Sequence, residues 1–323
     1  MKRKRVFVTG ITGFAGIHLT EYLLTMNCDV SGIFFPAETS AVFVKKFPKV
    51  KIHFCDLADK SNLQQILLEF QPEIIFHLAA ISSVRYSFTH ISKTIDANIK
   101  GFNNILETAA NLPYQPRFVF ISSADVYEHS IDGQSINESF PVNPKSPYAI
   151  SKYSSEMFFN YYLSMNMIDG VIVRPFNHIG PYQRDDFAIS SFAKQVALIE
   201  KYGNTDAIVT GNLGAERDFT DVRDTVRAYY LISIIEKFEK NEDRIINIAT
   251  NRCYSIRKLL ETLISFSTSK NIKIAVDNKL YRKIDIPRLK GDYSKLNALT
   301  GWNPKISIED TLLATLNYWR KNV

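Results

Sequence analysis

Cysteine is scarce in this chain. Of 323 residues only Cys28, Cys55 and Cys253 are cysteines, and no two are spaced to pair or to bind a metal. An odd, scattered set excludes a disulfide-stapled scaffold and fits a reducing cytoplasm, the expected compartment. The six histidines form no HExxH motif and no His/Cys cluster, so no metal site is expected. Long apolar runs are missing as well: none approaches the roughly 18 residues of a membrane span, and no membrane partner is expected. The opening MKRKR ahead of VFVTGITGFAG has the outline of a signal peptide. Thr9, Gly10, Thr12 and Gly13 interrupt its apolar stretch, however, and no small-residue cleavage site follows. A broad basic face is also absent. The net charge is +6, but residues 2–5 hold +4 and residues 279–323 carry nine basic against four acidic side chains, leaving 6–278 at −3. Basic charge confined to the two ends, without interleaved aromatics, is not a nucleic-acid footprint.

What is present is ordinary globular composition, 46% apolar and 22% charged, in a chain long enough for one large or two smaller cores. Short apolar β-rich runs at 5–8, 30–35, 51–54, 73–78, 117–121 and 171–174 alternate with helical patterns at 18–26, 61–70, 89–112 and 149–165. Apolar strands of this kind are buried on both faces, and the alternation predicts an α/β fold with a doubly wound parallel sheet. From about residue 175 the rhythm loosens. Helical patterns are expected at 187–203, 224–237, 256–266, 294–299 and 308–320, with strands at 245–249 and 272–276. The stretch RPFNHIGPYQ (174–183) reads as the crossing point. The expected division is a dinucleotide-binding domain at 1–174, with 219–250 returning to it, and a smaller α/β substrate-binding region at 175–218 and 251–323.

The first strand runs into Thr9-Gly10-Ile11-Thr12-Gly13-Phe14-Ala15-Gly16, and a helix begins at once. Glycines there permit a tight turn, close backbone approach to a pyrophosphate and close helix–strand packing. The helix N-terminus adds free N–H groups and a positive dipole. Gly10, Thr12, Gly13, Phe14, Ala15 and Gly16 are therefore the expected cofactor cradle of a Rossmann-type sheet. Asp56-Leu57 ends the third strand, where a carboxylate can reach an adenine or cap the next helix. Leu78, Ala79 and Ala80 end the fourth, where small residues let a cofactor pass. An Asp or Glu at the end of the second strand would favour NAD(H), and an Arg NADP(H). The chain has Gly32-Ile33-Phe34-Phe35-Pro36 instead. The missing acid, with Lys45 and Lys46 downstream, tilts the expectation to NADP(H) over NAD(H); a solvated basic pair is the other reading of those lysines.

Tyr148-Ala149-Ile150-Ser151-Lys152 is a YxxxK motif, and i,i+4 residues share a helix face. An ammonium beside a phenol favours the phenolate, so Lys152 is expected to lower the Tyr148 pKa for proton exchange near neutrality. Pro147 suits a helix start. Ser122-Ser123 ends the fifth strand at its carboxyl edge, where open α/β sheets bind ligands.

Together these elements resemble the extended short-chain dehydrogenase/reductase family, over essentially the whole chain. The motifs that carry it are TGITGFAG, DL at 56–57, LAA at 78–80, NIKG with Asn98, ISSADVY, YAISK, RPFNHIGP, RDFTDVRD at 217–224, and GDYSKL with GWNP at 291–304. The resemblance implies Ser123, Tyr148 and Lys152 as catalytic residues, Lys152 also holding the nicotinamide ribose, and Asn98 as support at the cofactor site. FNHIGP, FAKQVALIE and GNLGAERDFTDVRD are most similar to the GDP-mannose branch, its GDP-4-keto-6-deoxy-mannose reductases and their dehydratase relatives. By that resemblance Asn177, Arg217, Ser83 and Arg85 contact substrate. Asn177 also reads as a turn residue, and Arg217 as the partner of Asp218 or Asp221. Arg282 matches a diphosphate-binding arginine, although RPxE reads Arg282-Lys283-Ile284-Asp285 here. Arginine suits a diphosphate because its planar fork binds two oxygens.

The branch's dehydratases follow the catalytic Ser/Thr with Asp-Glu or Ser-Glu. Here Ala124 leaves the first of those slots without acid or hydroxyl, and Asp125 fills the second with a carboxylate one methylene shorter than Glu. The expectation is reduction of a 4-keto group on a GDP-4-keto-6-deoxy sugar, in nucleotide-sugar supply for surface glycans such as lipopolysaccharide. The alternatives are a GDP-mannose-type 4,6-dehydratase, a nucleotide-sugar 4-epimerase, and a non-catalytic nucleotide sensor on the same fold. The expected ligand is a nucleotide-diphosphate sugar, and the expected partner a second copy of the chain, docked through helices 89–112 and 149–165 with Phe158, Phe159, Tyr161 and Tyr162.

Overall fold

A computed structural model describes residues 3–35, 40–128, 133–203, 207–281 and 287–323. The first half runs β1 (Arg5–Thr9), α1 (Phe14–Thr25), β2 (Asp29–Phe34), α2 (Ser40–Lys46), β3 (Lys51–Phe54), α3 (Lys60–Phe70) and β4 (Ile74–His77). Then come α4 (Val84–Ser87), α5 (Ile91–Ile95), a π-helical turn (Asp96–Lys100), α6 (Gly101–Ala110), β5 (Arg117–Ile121), α7 (Pro147–Ser164) and β6 (Asp169–Pro175). The second half holds β7 (Asn177–Ile179), α8 (Ala188–Tyr202), β8 (Ala207–Thr210), β9 (Glu216–Asp221), α9 (Val222–Ser233) and β10 (Ile245–Ile248). It ends with β11 (Cys253–Ser255), α10 (Ile256–Ser265), β12 (Lys273–Val276), β13 (Arg288–Leu289), α11 (Ser294–Thr300) and α12 (Ile308–Arg320).

Seven strands form one parallel sheet in the order β10-β6-β5-β4-β1-β2-β3. The order reverses between β1 and β4, which opens a crevice at their carboxyl ends. Successive residues serve opposite faces, as strand geometry requires. Val6, Val8, Ile74, Phe76, Val119, Val171 and Val173 pack into one core with α1 and α9. Phe7, Ile75, Phe118, Phe120 and Ile172 pack into the other with α3, α6 and α7. Burial on both sides explains why these strands read as apolar runs rather than alternating ones.

A second core lies under α8, α10 and α12, built from Ile189, Val196, Ile208, Phe219, Leu259, Leu263, Leu312 and Leu316. Its strands are short: β11, β9 and β13 are joined in a row, with β7 on β9, while β8 pairs only β12. The RDFTDVRD motif ties this region to the large sheet through three carboxylates at every third position. Asp218 accepts from the N–H and hydroxyl of Thr250 at 2.9 and 2.6 Å and from Gly291 N at 3.2 Å. Asp221 accepts from Arg223 and from Thr311 on α12. Asp224 accepts from Lys305 N and Ile306 N.

The helix expected over 89–112 is interrupted at Asp96–Lys100 by the π-helical turn. The small sheet is largely unannounced, because strands of two to six residues with sequences such as ERDFTD carry no apolar alternation.

The C-terminal helix is pinned by charge. Arg320 bonds both oxygens of Glu200 on α8 at 2.8 Å and the Phe266 carbonyl at 2.9 Å. The guanidinium holds the Glu200 carboxyl down at about 2. A carboxyl depressed in the folded state contributes stability above its unfolded value, and that contribution is lost as pH falls through the folded one. Wild type should therefore exceed Glu200→Gln by about 1–2 kcal/mol at pH 7, after allowance for solvent screening. The gap should close between pH 5 and pH 2 in thermal melts, and a gap independent of pH would contradict the assignment.

Candidate active site

The glycine-rich loop leaves β1 through Gly10, whose φ is +66°. A Cβ there would stand 3.0 Å from the Ala79 backbone, so the loop and the end of β4 touch across the switch point. Thr9 fastens the two strand ends, its hydroxyl accepting from Ala79 N at 3.2 Å and pairing with His77 Nδ1 at 3.0 Å. Gly13 is the N-cap of α1 and offers no side chain to the first-turn N–H groups, and that turn holds no acid. Those N–H groups and the dipole are thus available to a phosphate. A Cβ on Gly16 would lie 2.4 Å from Ile11 O and 2.5 Å from Gly10 O, so the helix packs on the loop with no room for a side chain. Thr12 is buried in the loop, Ala15 is half-buried, and the Phe14 ring stacks on His178 at 5.7 Å. These features fit a dinucleotide pyrophosphate.

Asp56 is exposed and closes a turn on Ala58 N at 2.9 Å, while Asp59 caps α3 through Asn62 N. Leu57 receives Asn104 at its carbonyl and packs on Gly101. Leu78 N donates to Thr9 O, and Ala80 follows Ala79 at the crevice, half-buried. Lys46 is engaged by Glu21 at 2.9 Å, which leaves Lys45 as the exposed member of that pair.

Asn98, expected as a support at the cofactor site, makes its side-chain contacts within the protein. Its Oδ1 accepts from Ile81 N at 2.8 Å, and Nδ2 donates to Ile81 O at 3.1 Å and Ser151 Oγ at 2.9 Å. Both amide hydrogens are spent within the protein. Ser155 donates to the Asn98 carbonyl at 2.8 Å. The π-helical turn thereby grips α7 and the loop after β4, a known use of such turns near functional sites.

Helix α7 starts at Pro147, with Ser146 as N-cap accepting from Ala149 N at 3.1 Å. Ser87 at the end of α4 accepts from Tyr148 N at 3.2 Å. This seats α4 beside Tyr148, with Ser83 buried as its N-cap and Arg85 exposed on it. The buried face of α7 carries Tyr148, Lys152 and Glu156, one turn apart, before the apolar Phe159 and Leu163. Ser123 lies two residues past the end of β5, accepts from Asp125 N at 3.1 Å, and hydrogen-bonds the Tyr148 phenol. Ser123, Tyr148, Lys152 and Asp125 are thus brought together.

Burial pushes the Tyr148 phenol up; the Asp125 carboxylate adds to this and the Ser123 hydroxyl opposes it. Burial pushes Lys152 down to about 7, with Glu156 opposing. The sign expected for Tyr148 is therefore reversed: burial dominates the phenol, and the neighbours that act on it are Asp125 and Ser123 rather than Lys152. The phenol rests protonated, the form a proton donor requires. Lys152 stands 4.9 Å from the centre of the Phe120 ring, and burial keeps His77 neutral next to it.

Asn177 lies on β7, and its buried Nδ2 has no partner among the described residues, as a group awaiting a ligand would. Arg217 is buried on β9, between Tyr254 of β11 and Leu289 of β13, and donates to Glu216 O at 2.8 Å. Arg282 lies outside the described residues. Among those described, no group of three or more His, Cys, Asp or Glu could hold a metal, and no helix is long and apolar enough to cross a membrane.

Sequence reasoning missed Ser87, Ser151, Ser155, Glu156 and Arg174. Glu156 had a signal, since it repeats the i,i+4 spacing that marks Tyr148 and Lys152.

Residues 7–315 match the family model described as GDP-mannose 4,6 dehydratase. The chain is 30% identical to GDP-6-deoxy-D-mannose reductase of Pseudomonas aeruginosa, over 99% of this chain and 98% of that one. It is 27% identical to GDP-mannose 4,6 dehydratase of Drosophila melanogaster, over 99% and 88%. Among solved structures, RMD from Pseudomonas aeruginosa complexed with NADPH superposes with a TM-score of 0.85 at 29% identity, covering 99% of this chain and 100% of that one. UDP-glucose 4-epimerase from Thermotoga maritima with UDP-glucose gives 0.86 at 25% identity, covering 98% and 99%.

Gly16→Ala should push the glycine loop apart and weaken NADPH binding at least about tenfold by titration calorimetry. Unchanged affinity in a folded variant would rule out the assigned cradle.

Proposed function

The chain belongs to the GDP-mannose 4,6-dehydratase family, and on that footing we propose that it reduces the 4-keto group of a GDP-4-keto-6-deoxy sugar with NAD(P)H. The observation that carries this reading is the buried Tyr148 beside Ser123, with Ala124 in place of an acid or hydroxyl directly after Ser123. A bound reduced nicotinamide supplies the hydride. Ser123 then donates to the keto oxygen, and Tyr148 gives its proton to the oxyanion as charge develops. Lys152 lies one turn from Tyr148 on the same face and offers positive charge to that proton transfer and to a ribose hydroxyl. Asp125 accepts from a sugar hydroxyl. Asn177 Nδ2 and Arg217 hold the substrate, with Arg282 on the diphosphate and Ser83 and Arg85 at the mouth beside α4.

The dehydratase reading keeps some support from Asp125, a carboxylate two residues past Ser123, and from the dehydratases among the relatives. The two reactions differ in redox balance. The reductase consumes one NAD(P)H for each 4-keto sugar and leaves GDP-mannose untouched. The dehydratase converts GDP-mannose with no net cofactor turnover. A non-catalytic sensor does neither.

We favour NADP(H). The absent acid at the end of β2 supports this, as does the NADPH complex of the Pseudomonas structure. The dinucleotide is assigned to 1–174 with 219–250, and the sugar to 175–218 with 251–323. The proposed assembly is a homodimer through α5 and α7, where Ile91, Ile95, Ile150, Met157, Phe158 and Tyr161 are exposed. Phe159, by contrast, belongs to the core and Tyr162 packs against it. The proposed setting is the cytoplasm, with a product destined for surface glycans such as lipopolysaccharide.

With a GDP-4-keto-6-deoxy sugar, NADPH oxidation and sugar reduction should run one to one, and Tyr148→Phe should lower turnover by about 10²–10⁴-fold. Near-normal turnover in that variant would remove Tyr148 from the mechanism. Phe158→Glu should yield monomer in sedimentation velocity, and an unaltered dimer would place the interface elsewhere.

A further inference from the structure

We propose that Glu156 is a positioning residue of this active site: its buried carboxylate, shared between Ser122 and Arg174, keeps the catalytic Lys152 ammonium charged and in place. The inference rests on the oxidoreductase reading above.

The geometry is specific. Ser122 donates to Glu156 Oε1 at 2.5 Å, and Ser122 directly precedes Ser123. Arg174 on β6 donates to both carboxylate oxygens, from Nε at 3.0 Å and from a terminal nitrogen at 2.5 Å. The side chains of Glu156 and Arg174 are 1% and 3% exposed, so this is a fully buried bidentate pair. The Arg174 guanidinium lies 4.7 Å from the centre of the Tyr127 ring, and Tyr127 donates to Asn247 Oδ1 at 2.8 Å. Glu156 is one turn beyond Lys152 on the same buried face of α7.

The surroundings of Lys152 leave this carboxylate as its charge partner. On α7 it faces Glu156 and Tyr148. From β4 it faces His77, which burial holds neutral, and from β5 the uncharged ring of Phe120. Asp125 acts on Tyr148 instead. Arg174 from β6 lies against the far side of Glu156, under Tyr127. A lysine buried without a counter-charge gives up its proton. Glu156 opposes that loss, and the Arg174 fork holds both of its carboxylate oxygens in place. Because the same carboxylate holds Ser122, any shift of α7 along the sheet moves the anchors of Ser123 and Lys152 together.

A purely structural staple between α7 and β6 would have the same contacts but no influence on Lys152 titration. Glu156→Gln alone leaves a buried, unpaired guanidinium and can fail to fold. The decisive variant is therefore Glu156→Gln with Arg174→Met, which removes both charges, alongside Glu156→Asp, which keeps the carboxylate. In the double variant the alkaline limb of the kcat–pH profile should move down by about one unit, a tenfold loss of turnover above it, with the gap to wild type narrowing to about twofold at pH 6 and closing at lower pH. Glu156→Asp should keep the wild-type limb. In cofactor-free protein labelled with [ε-13C]lysine, the Lys152 resonance, assigned with Lys152→Met, should titrate about one unit lower in the double variant. An unmoved Lys152 midpoint in a folded double variant overturns the proposal. This measurement needs no substrate, so it decides even where the sugar assay fails and the reductase reading falls.

Discussion

The carboxyl edge of the large sheet is organised by one buried ion pair. Glu156 and Arg174 join the middle of α7 to β6, and Ser122 brings the end of β5 into the same cluster. Breaking such a pair by removing one partner costs about 3–5 kcal/mol, because the other charge is left without water. Helix α7 is therefore held in register with the sheet by the cost of orphaning a charge, beyond what its apolar face supplies. The N-terminal part of its buried stripe is Tyr, Lys and Glu rather than leucine, a local rule broken where the chemistry is. Asn98 grips the same helix through its Ser151 and Ser155. The tyrosine and lysine are thus positioned by polar contacts that tolerate little play.

The second unit is held by a different device. Asp218, Asp221 and Asp224 follow one another through the end of β9 and the start of α9, and each binds a later, separate segment of chain. Arg217 begins the same run, so the residue assigned to the substrate sits on the strand that fastens the two units. Asp218 is buried among donors yet pushed up to about 6 by desolvation, which marks the cost of placing a carboxylate at that junction.

The large sheet was legible in the sequence because its strands bury both faces and announce themselves as apolar runs. The glycine loop and YxxxK were legible because their geometry depends on spacing alone. The small sheet was not: two- to six-residue strands such as ERDFTD and CYS carry polar side chains kept for bonding rather than packing. The break at Asp96–Lys100 was hidden because Asp-Ala-Asn-Ile-Lys reads as ordinary helix, and only the contacts of Asn98 require the extra residue. The sign of the Tyr148 shift was missed because a motif shows a neighbour but not its burial. Glu156 went unread because the eye stops at the lysine of YxxxK, although the next turn of the same face continues the site.

The sheet is also completed late. Its edge strand β10 comes some 70 residues after β6, the strand it pairs with, and the whole small sheet's β7 and β9 lie between them. During synthesis the backbone groups along one side of β6 stay unpaired until that interval has emerged. An open strand edge of this kind is a template for other chains. The nascent protein therefore has a period of exposure in which a chaperone, or a neighbouring ribosome's product, competes with its own β10.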